Sequence, residues 1–243
     1  MKLLAVESTS MVAGAALIQE DKLIGEIRIN HRKTHSEQLL PLIDELLTHC
    51  ECPLSSLDAL AVSLGPGSFT GIRIGVATVK GLAQALQIPV IGVTTLEALA
   101  WQADTFAGRI VPLMDAQKNL VYTAEYQFNN KGNQSLAVLR EPDVLHIQEL
   151  LDTLKIGEDP LLFLGDAMPL HTQWLMKAFP TRGFFASPHH VMPSAGALAQ
   201  CAIWKALAGE GVPAEQIQPV YLRTAQAERA YRQRQFLLSG EKQ

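Results

Sequence analysis

The residues best placed for chemistry lie in Gly65-Pro66-Gly67-Ser68-Phe69-Thr70-Gly71-Ile72-Arg73-Ile74-Gly75. The apolar run Leu60–Leu64 before them has the length and composition of a buried strand. The glycine–proline break then opens a helix that runs to about Gln87 and that Ser68 or Thr70 can cap. A strand, a glycine turn and a helix N-terminus in succession make an anion site: free N–H groups point outward and the helix dipole adds partial positive charge. Gly65, Gly67 and Ser68 are the candidate phosphate contacts there, joined by Ser8 and Thr9 of the earlier polar turn Glu7-Ser8-Thr9-Ser10. A tight strand-to-helix turn with no ligand explains the same residues, and both readings stand at this level. Arg73, one turn into the helix, suits a phosphate, an acidic partner, or a surface place with its stem over apolar neighbours.

Metal and nucleophile chemistry find weaker support. His31 and His35 are four residues apart, but His31 falls at the end of a strand, before the helix begins. The Glu of a His-Glu-x-x-His helix is also missing. Cys50 and Cys52 lack the second pair that a zinc site uses. There is no Gly-x-Ser-x-Gly elbow, and His189-His190 beside Pro188 reads as a loop between two helices. No metal site is expected.

The elements that must position these groups follow from periodicity. Strands are predicted at Leu3–Val6, Val12–Gln19 and Leu23–Asn30, and a helix from Thr34 to Leu47. The Leu60–Leu64 strand and the glycine helix come next, then a strand at Ile88–Val93 and a helix from Thr94 or Thr95 to Ala103. From Gly108 the same order begins again, with strands Arg109–Met114, Leu120–Phe128 and Ser135–Arg140 and a helix Ile147–Leu154. Strand Leu161–Leu164, helix Leu170–Phe179, strand Gly183–Ala186 and helix Ser194–Ala208 complete it. Internal duplication outweighs any single element in choosing a fold. Three hairpin-linked strands followed by alternating units imply a mixed sheet flanked by helices, made twice. The order is similar to that of actin, hexokinase and Hsp70, an α/β ASKHA-like fold with its ligand cleft between the halves. The expected division is 1–106, 107–217 and a C-terminal tail 218–243 that packs back on the body.

The whole chain bounds the partners. A net charge of −4 over 243 residues argues against an autonomous nucleic-acid binder. Arg223, Arg229, Arg232 and Arg234 make a local basic cluster, either a solvated tail helix or a patch. Three cysteines suit reduced thiols. The N-terminal apolar run is short for a signal peptide, and no stretch has the roughly 18 apolar residues of a membrane span. A cytoplasmic protein without membrane contact is expected.

Glu7-Ser8-Thr9 after Leu4-Ala5-Val6, the Gly65–Gly75 block, Asp115-Ala116 with Val121-Tyr122, and Pro219-Val220-Tyr221-Leu222-Arg223 together resemble the bacterial TsaB (YeaZ) family over the whole chain. The resemblance implies a subunit of the machinery that makes threonylcarbamoyladenosine at position 37 of tRNAs reading ANN codons. It implies that a metal-dependent paralogue, TsaD, performs the transfer while this chain binds and activates it. An ATPase, TsaE, joins them, the homodimer uses the same surface as TsaD, and tRNA is met indirectly through the complex. No cofactor is expected on the chain alone, with ATP or ADP entering only in the complex.

TsaD-like proteins carry a metal-holding His-x-x-x-His pair on the helix after the next strand, where this chain has Thr95 and Leu99, neither an imidazole. An active kinase of this fold places Gly after its first acidic residue; here Ser8 follows Glu7, limiting close approach to a phosphate. Asp115 is a relic of the nucleotide-binding aspartate or a cap for its turn. Tyr221 and Arg223 are expected to tie the C-terminal segment onto a domain surface. Gly67, Gly71 and Gly75 recur every fourth residue in a helix that is apolar on most sides, which asks for cover by a second helix. The expected partner interface is His35, Leu39, Leu42, Ile43, Leu46, Phe69, Gly71, Ile72, Gly75, Val76, Val79 and Leu82. A stand-alone ATP-dependent phosphotransferase or hydrolase is the alternative, and a protease comes last.

Overall fold

The computed structural model describes residues 1–31, 34–129 and 135–223. The C-terminal arginines Arg229, Arg232 and Arg234 and the tail helix expected around them lie outside the described residues.

The first half runs β1 (Lys2–Glu7), β2 (Ala13–Gln19), β3 (Lys22–Ile29), α1 (His35–His49), β4 (Ala59–Ser63), α2 (Phe69–Leu86), β5 (Val90–Val93) and α3 (Thr95–Trp101). The second runs β6 (Arg109–Asp115), β7 (Leu120–Asn129), β8 (Ser135–His146), α4 (Ile147–Leu154), β9 (Leu161–Leu164), α5 (Met168–Ala178), β10 (Gly183–Phe185) and α6 (Ala195–Leu207). The strands form two five-stranded sheets, ordered β3-β2-β1-β4-β5 and β10-β9-β6-β7-β8. In both, the first three strands are antiparallel neighbours, and the fourth joins the first in parallel. The duplicated architecture is the one the element order predicts. The strand expected to end at Arg140 continues to His146.

Five layers result. α1 and α2 cover the outer face of the first sheet, with Leu39, Ile43, Leu46, Ile72, Val76 and Val79 packed on Leu4, Val6, Leu60 and Val62. α4 and α5 cover the outer face of the second sheet around Val111, Leu113, Leu161 and Phe163. Between the sheets lie α3 and α6, in one apolar layer that joins Leu3, Ala5, Ile91 and Val93 to Ile110, Met114, Ala124 and Tyr126. The helices are exchanged in this layer. α3, from the first half, contacts β6 and β7, and α6, from the second, spreads over β1, β2, β3, β4 and β5. A division at residue 106 therefore separates connectivity and not packing, because the apolar inner face of the first sheet takes its cover from residues 195–207. The segment after α6 also returns to the first half: Val90 and Val212 exchange backbone hydrogen bonds.

Candidate functional site

The parallel pairs β1–β4 and β6–β9 end at the same side of the molecule, and the loops that follow them face each other across a cleft of about 410 Å³. Thr9, Ser10, Ser68 and Phe69 line it from the first half, Asp115, Ala116, Gln117 and Asp166 from the second, and Val220–Arg223 from the chain's return.

Register places the buried acid of the first half. Val6 pairs with Val62, so the next residues, Glu7 and Ser63, end their strands side by side. Glu7 is fully buried. Its Oε1 accepts from the Thr9 backbone N–H at 2.6 Å and from Thr9 Oγ1 at 2.6 Å, and its Oε2 accepts from Ser63 Oγ. Burial pushes the Glu7 carboxyl up from the ordinary carboxylate value, opposed by the hydrogen bonds from Ser63 and Thr9.

The turn after Glu7 is bolted to the start of α2. Ser68 N–H donates to the Thr9 carbonyl at 2.6 Å, Ser8 Oγ donates to the Gly71 carbonyl at 2.9 Å, and Ser68 Oγ accepts from Gly71 N–H at 3.2 Å as the helix cap. A Cβ on Gly67 would strike the Thr9 carbonyl, one on Gly71 the Ser8 carbonyl, and one on Gly75 the Ser8 hydroxyl. The fourfold glycine spacing thus serves close approach within the chain, where the sequence suggested a second helix. Gly65 and Gly67 have φ of 103° and 155° around a cis Gly65–Pro66 bond, backbone that favours glycine. Ser8 and Thr9, expected as phosphate contacts, are wholly buried with hydroxyls committed to Gly71 and Glu7. Ser68 remains on the cleft wall.

In the second half, Asp115 ends β6 as Glu7 ends β1. Its N–H donates to Asp166 Oδ1 at 2.8 Å, and its Oδ1 accepts from Gln117 N–H at 2.8 Å. Asp115 therefore does cap its turn, while still lining the cleft. Burial, with the neighbouring Asp115 charge adding to it, pushes the Asp166 carboxyl up to about 6. Sequence reasoning missed Asp166 and Ser63. Each follows or ends a short apolar strand beside the acid of the neighbouring strand, a signal readable once the duplication is aligned.

Arg73 lies 3.9 Å over the Phe69 ring, and its Nε donates to Tyr221 Oη at 3.1 Å. Phe69 and Tyr221 pack with ring centroids 4.9 Å apart. Arg73 therefore lies over an aromatic ring while remaining exposed. Arg223 reaches the second half, donating from Nη1 to the Ala116 carbonyl at 2.5 Å. His35 sits beside Gly71, with Nε2 at 2.8 Å from the Ser10 carbonyl, and among the described residues its buried Nδ1 has no partner. Thr95 and Leu99 are fully buried, Leu99 within the apolar layer between the sheets. Among the described residues, no group of three His, Cys, Asp or Glu side chains converges so as to hold a metal ion.

The residues expected to form a partner surface are mostly turned inward. Leu39, Leu42, Ile43, Leu46, Ile72, Val76 and Val79 are 0–4% exposed, and Gly71 and Gly75 are buried as well. The first sheet is apolar on its outer face and claims those side chains. Phe69, Leu82 and His35 are half-buried. The outward face of α1 and α2 carries Leu40, Glu37, Asp44, Arg73, Ala77 and Gly81.

Two duplicated mixed sheets with exchanged helices and a cleft at the ends of their parallel strands define an ASKHA-type protein. Component A of (R)-2-hydroxyglutaryl-CoA dehydratase from Acidaminococcus fermentans shares this fold, with a TM-score of 0.52, 9% identity and coverage of 85% of this chain and 99% of that one. The family model for TsaD, tRNA N6-adenosine threonylcarbamoyltransferase, matches residues 22–231. The tRNA threonylcarbamoyladenosine biosynthesis protein TsaB of Bacillus subtilis is 35% identical over 228 residues, covering 94% of this chain and 96% of that protein. YeaZ from Pseudomonas aeruginosa superposes with a TM-score of 0.76 at 32% identity, covering 91% and 99% of the two chains. The chain belongs to the TsaB (YeaZ) family, which bears the name of tRNA threonylcarbamoyladenosine biosynthesis. No helix among the described residues is long and apolar enough to cross a membrane.

Proposed function

We propose that this chain serves the synthesis of threonylcarbamoyladenosine at position 37 of ANN-decoding tRNAs as a non-catalytic subunit that binds and activates TsaD. The observation that carries the reading is the state of Glu7. The acid that ends the first strand has three of its four acceptor positions taken by Thr9 and Ser63, is wholly buried and does not line the cleft, so it is not presented to a metal-bound phosphate there. Thr95 and Leu99, where the resemblance puts the ligating histidines of TsaD, supply no imidazole and lie in the core. The fold is retained while the groups that would run the chemistry are structural.

In this reading TsaD docks on the outward face of α1 and α2, where Leu40, Ala77 and Gly81 are exposed. A second copy of the chain uses the same face when TsaD is absent. TsaE joins the assembly, ATP or ADP enters only there, the tRNA is held by the complex, and the work is done in the cytoplasm. Threonylcarbamoyl transfer to tRNA by purified TsaD and TsaE, with and without this chain, tests the activator role. Transfer that needs the chain supports it, and transfer equally fast without it overturns it. Leu40→Glu and Ala77→Glu place charge on exposed positions, so both variants fold with native Tm and lose TsaD in a pull-down. Retention of TsaD at native strength by both variants removes this face from the proposal.

A further inference from the structure

The last described residues, Val220–Arg223, line the cleft and bridge its two sides after the chain has returned from α6. Their anchors differ on the two sides. On the first half, Val220 N–H donates to the Leu64 carbonyl at 2.8 Å. Tyr221 packs on Phe69 and accepts from Arg73. These contacts combine a backbone bond with ring stacking under a guanidinium, and they continue the edge of the loop that follows β4. On the second half, the hold is made through Arg223, whose guanidinium donates to the Ala116 carbonyl at 2.5 Å in the loop between β6 and β7. Val220, Tyr221, Leu222 and Arg223 all line the cleft alongside Ser68 and Asp166.

We infer that Val220–Arg223 is a strap that stays fixed to the first half and latches the second through Arg223, holding the two walls of the cleft together until that single side chain lets go. The asymmetry decides which end lifts. A backbone hydrogen bond and an aromatic stack need the strap itself to peel away, whereas a long arginine reaching a carbonyl can swing free by rotation about its own side-chain bonds. The two sheets share an apolar layer that resists separation, so movement at the cleft is local to the loops that the strap joins. The inference rests on the cleft geometry alone and stands whether or not the chain activates TsaD.

Amide hydrogen exchange on the full chain, read by NMR or by mass spectrometry with overlapping peptides, tests it with Arg223→Ala and Arg223→Lys. Loss of a charge-assisted hydrogen bond is expected to speed local opening roughly tenfold or more in Arg223→Ala. The faster amides are those of Ala116 and Gln117, while Val220, β1 and β4 keep native rates. Arg223→Lys, which can still donate to Ala116, falls between native and Arg223→Ala. Unchanged rates at Ala116 and Gln117 overturn the latch, and so does faster exchange at Val220, which would mean that the strap leaves the first half. A uniform rise through β1 and β4 overturns it too, since Arg223 would then be a staple of global stability.

Discussion

Replacing Asp166 by Asn isolates the cost of holding a carboxylate in the cleft wall. Asn keeps an oxygen to accept the Asp115 N–H, now held at 2.8 Å, but carries no charge. In the folded chain burial pushes the Asp166 carboxyl up to about 6, from the ordinary 3.8. The folded state therefore binds the proton more tightly than the unfolded one, and native stability falls as pH rises from about 4 to about 6. Two pH units at 1.36 kcal/mol each set an upper bound of about 3 kcal/mol, which partial solvent contact reduces to about 1–2 kcal/mol. Above pH 6.5, Asp166→Asn is thus more stable than the native chain by roughly that amount, or about 2–8 °C in Tm for a chain of this size. Thermal melts of both proteins at half-unit steps from pH 4 to 8 give the test. Their difference should be near zero at pH 4, grow through pH 5–6 and level off above. Glu7, also raised by burial, is common to both proteins and cancels in the difference. A flat difference, or a variant less stable at pH 7.5, would refute the assignment of burial as the dominant cause.

Gly71→Ala should cost about 1–3 kcal/mol, because its methyl meets the Ser8 carbonyl in a packed turn. Gly81→Ala, in the same helix with no atom within 4 Å of the added carbon, should gain about 0.5–1 kcal/mol. Urea denaturation of the two variants side by side decides whether the glycine spacing serves the chain's own turn; equal effects would contradict it. Ser63→Ala removes the donor to Glu7 Oε2 in a buried site and should cost about 1–3 kcal/mol. It should also push the Glu7 titration higher, followed by carboxyl-carbon NMR, and an unchanged midpoint would mean the Ser63 bond does not oppose burial.

The strand and helix order was legible because each apolar run has one period and a clear break. Leu60–Leu64 stops at Gly65-Pro66, Thr34 caps α1 with Glu37 in a capping box, and the repeat after Gly108 supplied the fold. The facing of α1 and α2 was not legible. α2 is apolar nearly all round, and its glycines could serve either a partner helix or a neighbouring turn; only the position of the Ser8–Thr9 backbone distinguishes them. The pairing of Glu7 with Ser63 and of Asp115 with Asp166 depends on parallel register between strands more than 45 residues apart, which no local pattern encodes. The place of α6 on the first sheet escaped for the same reason: its apolar face is evident, but not which sheet it covers.

That exchange of helices bears on how the chain is made. During synthesis, residues 1–106 emerge with Leu3, Ala5, Ala16 and Ile18 on a sheet face whose cover, residues 195–207, is still in the ribosome or unmade. The first half cannot close its inner layer early, so the usual order in which an N-terminal unit settles before its successor appears is denied to this chain. Both halves reach their final packing together, once residues 195–207 have been made. Until then, an apolar sheet face is left for chaperones to shield.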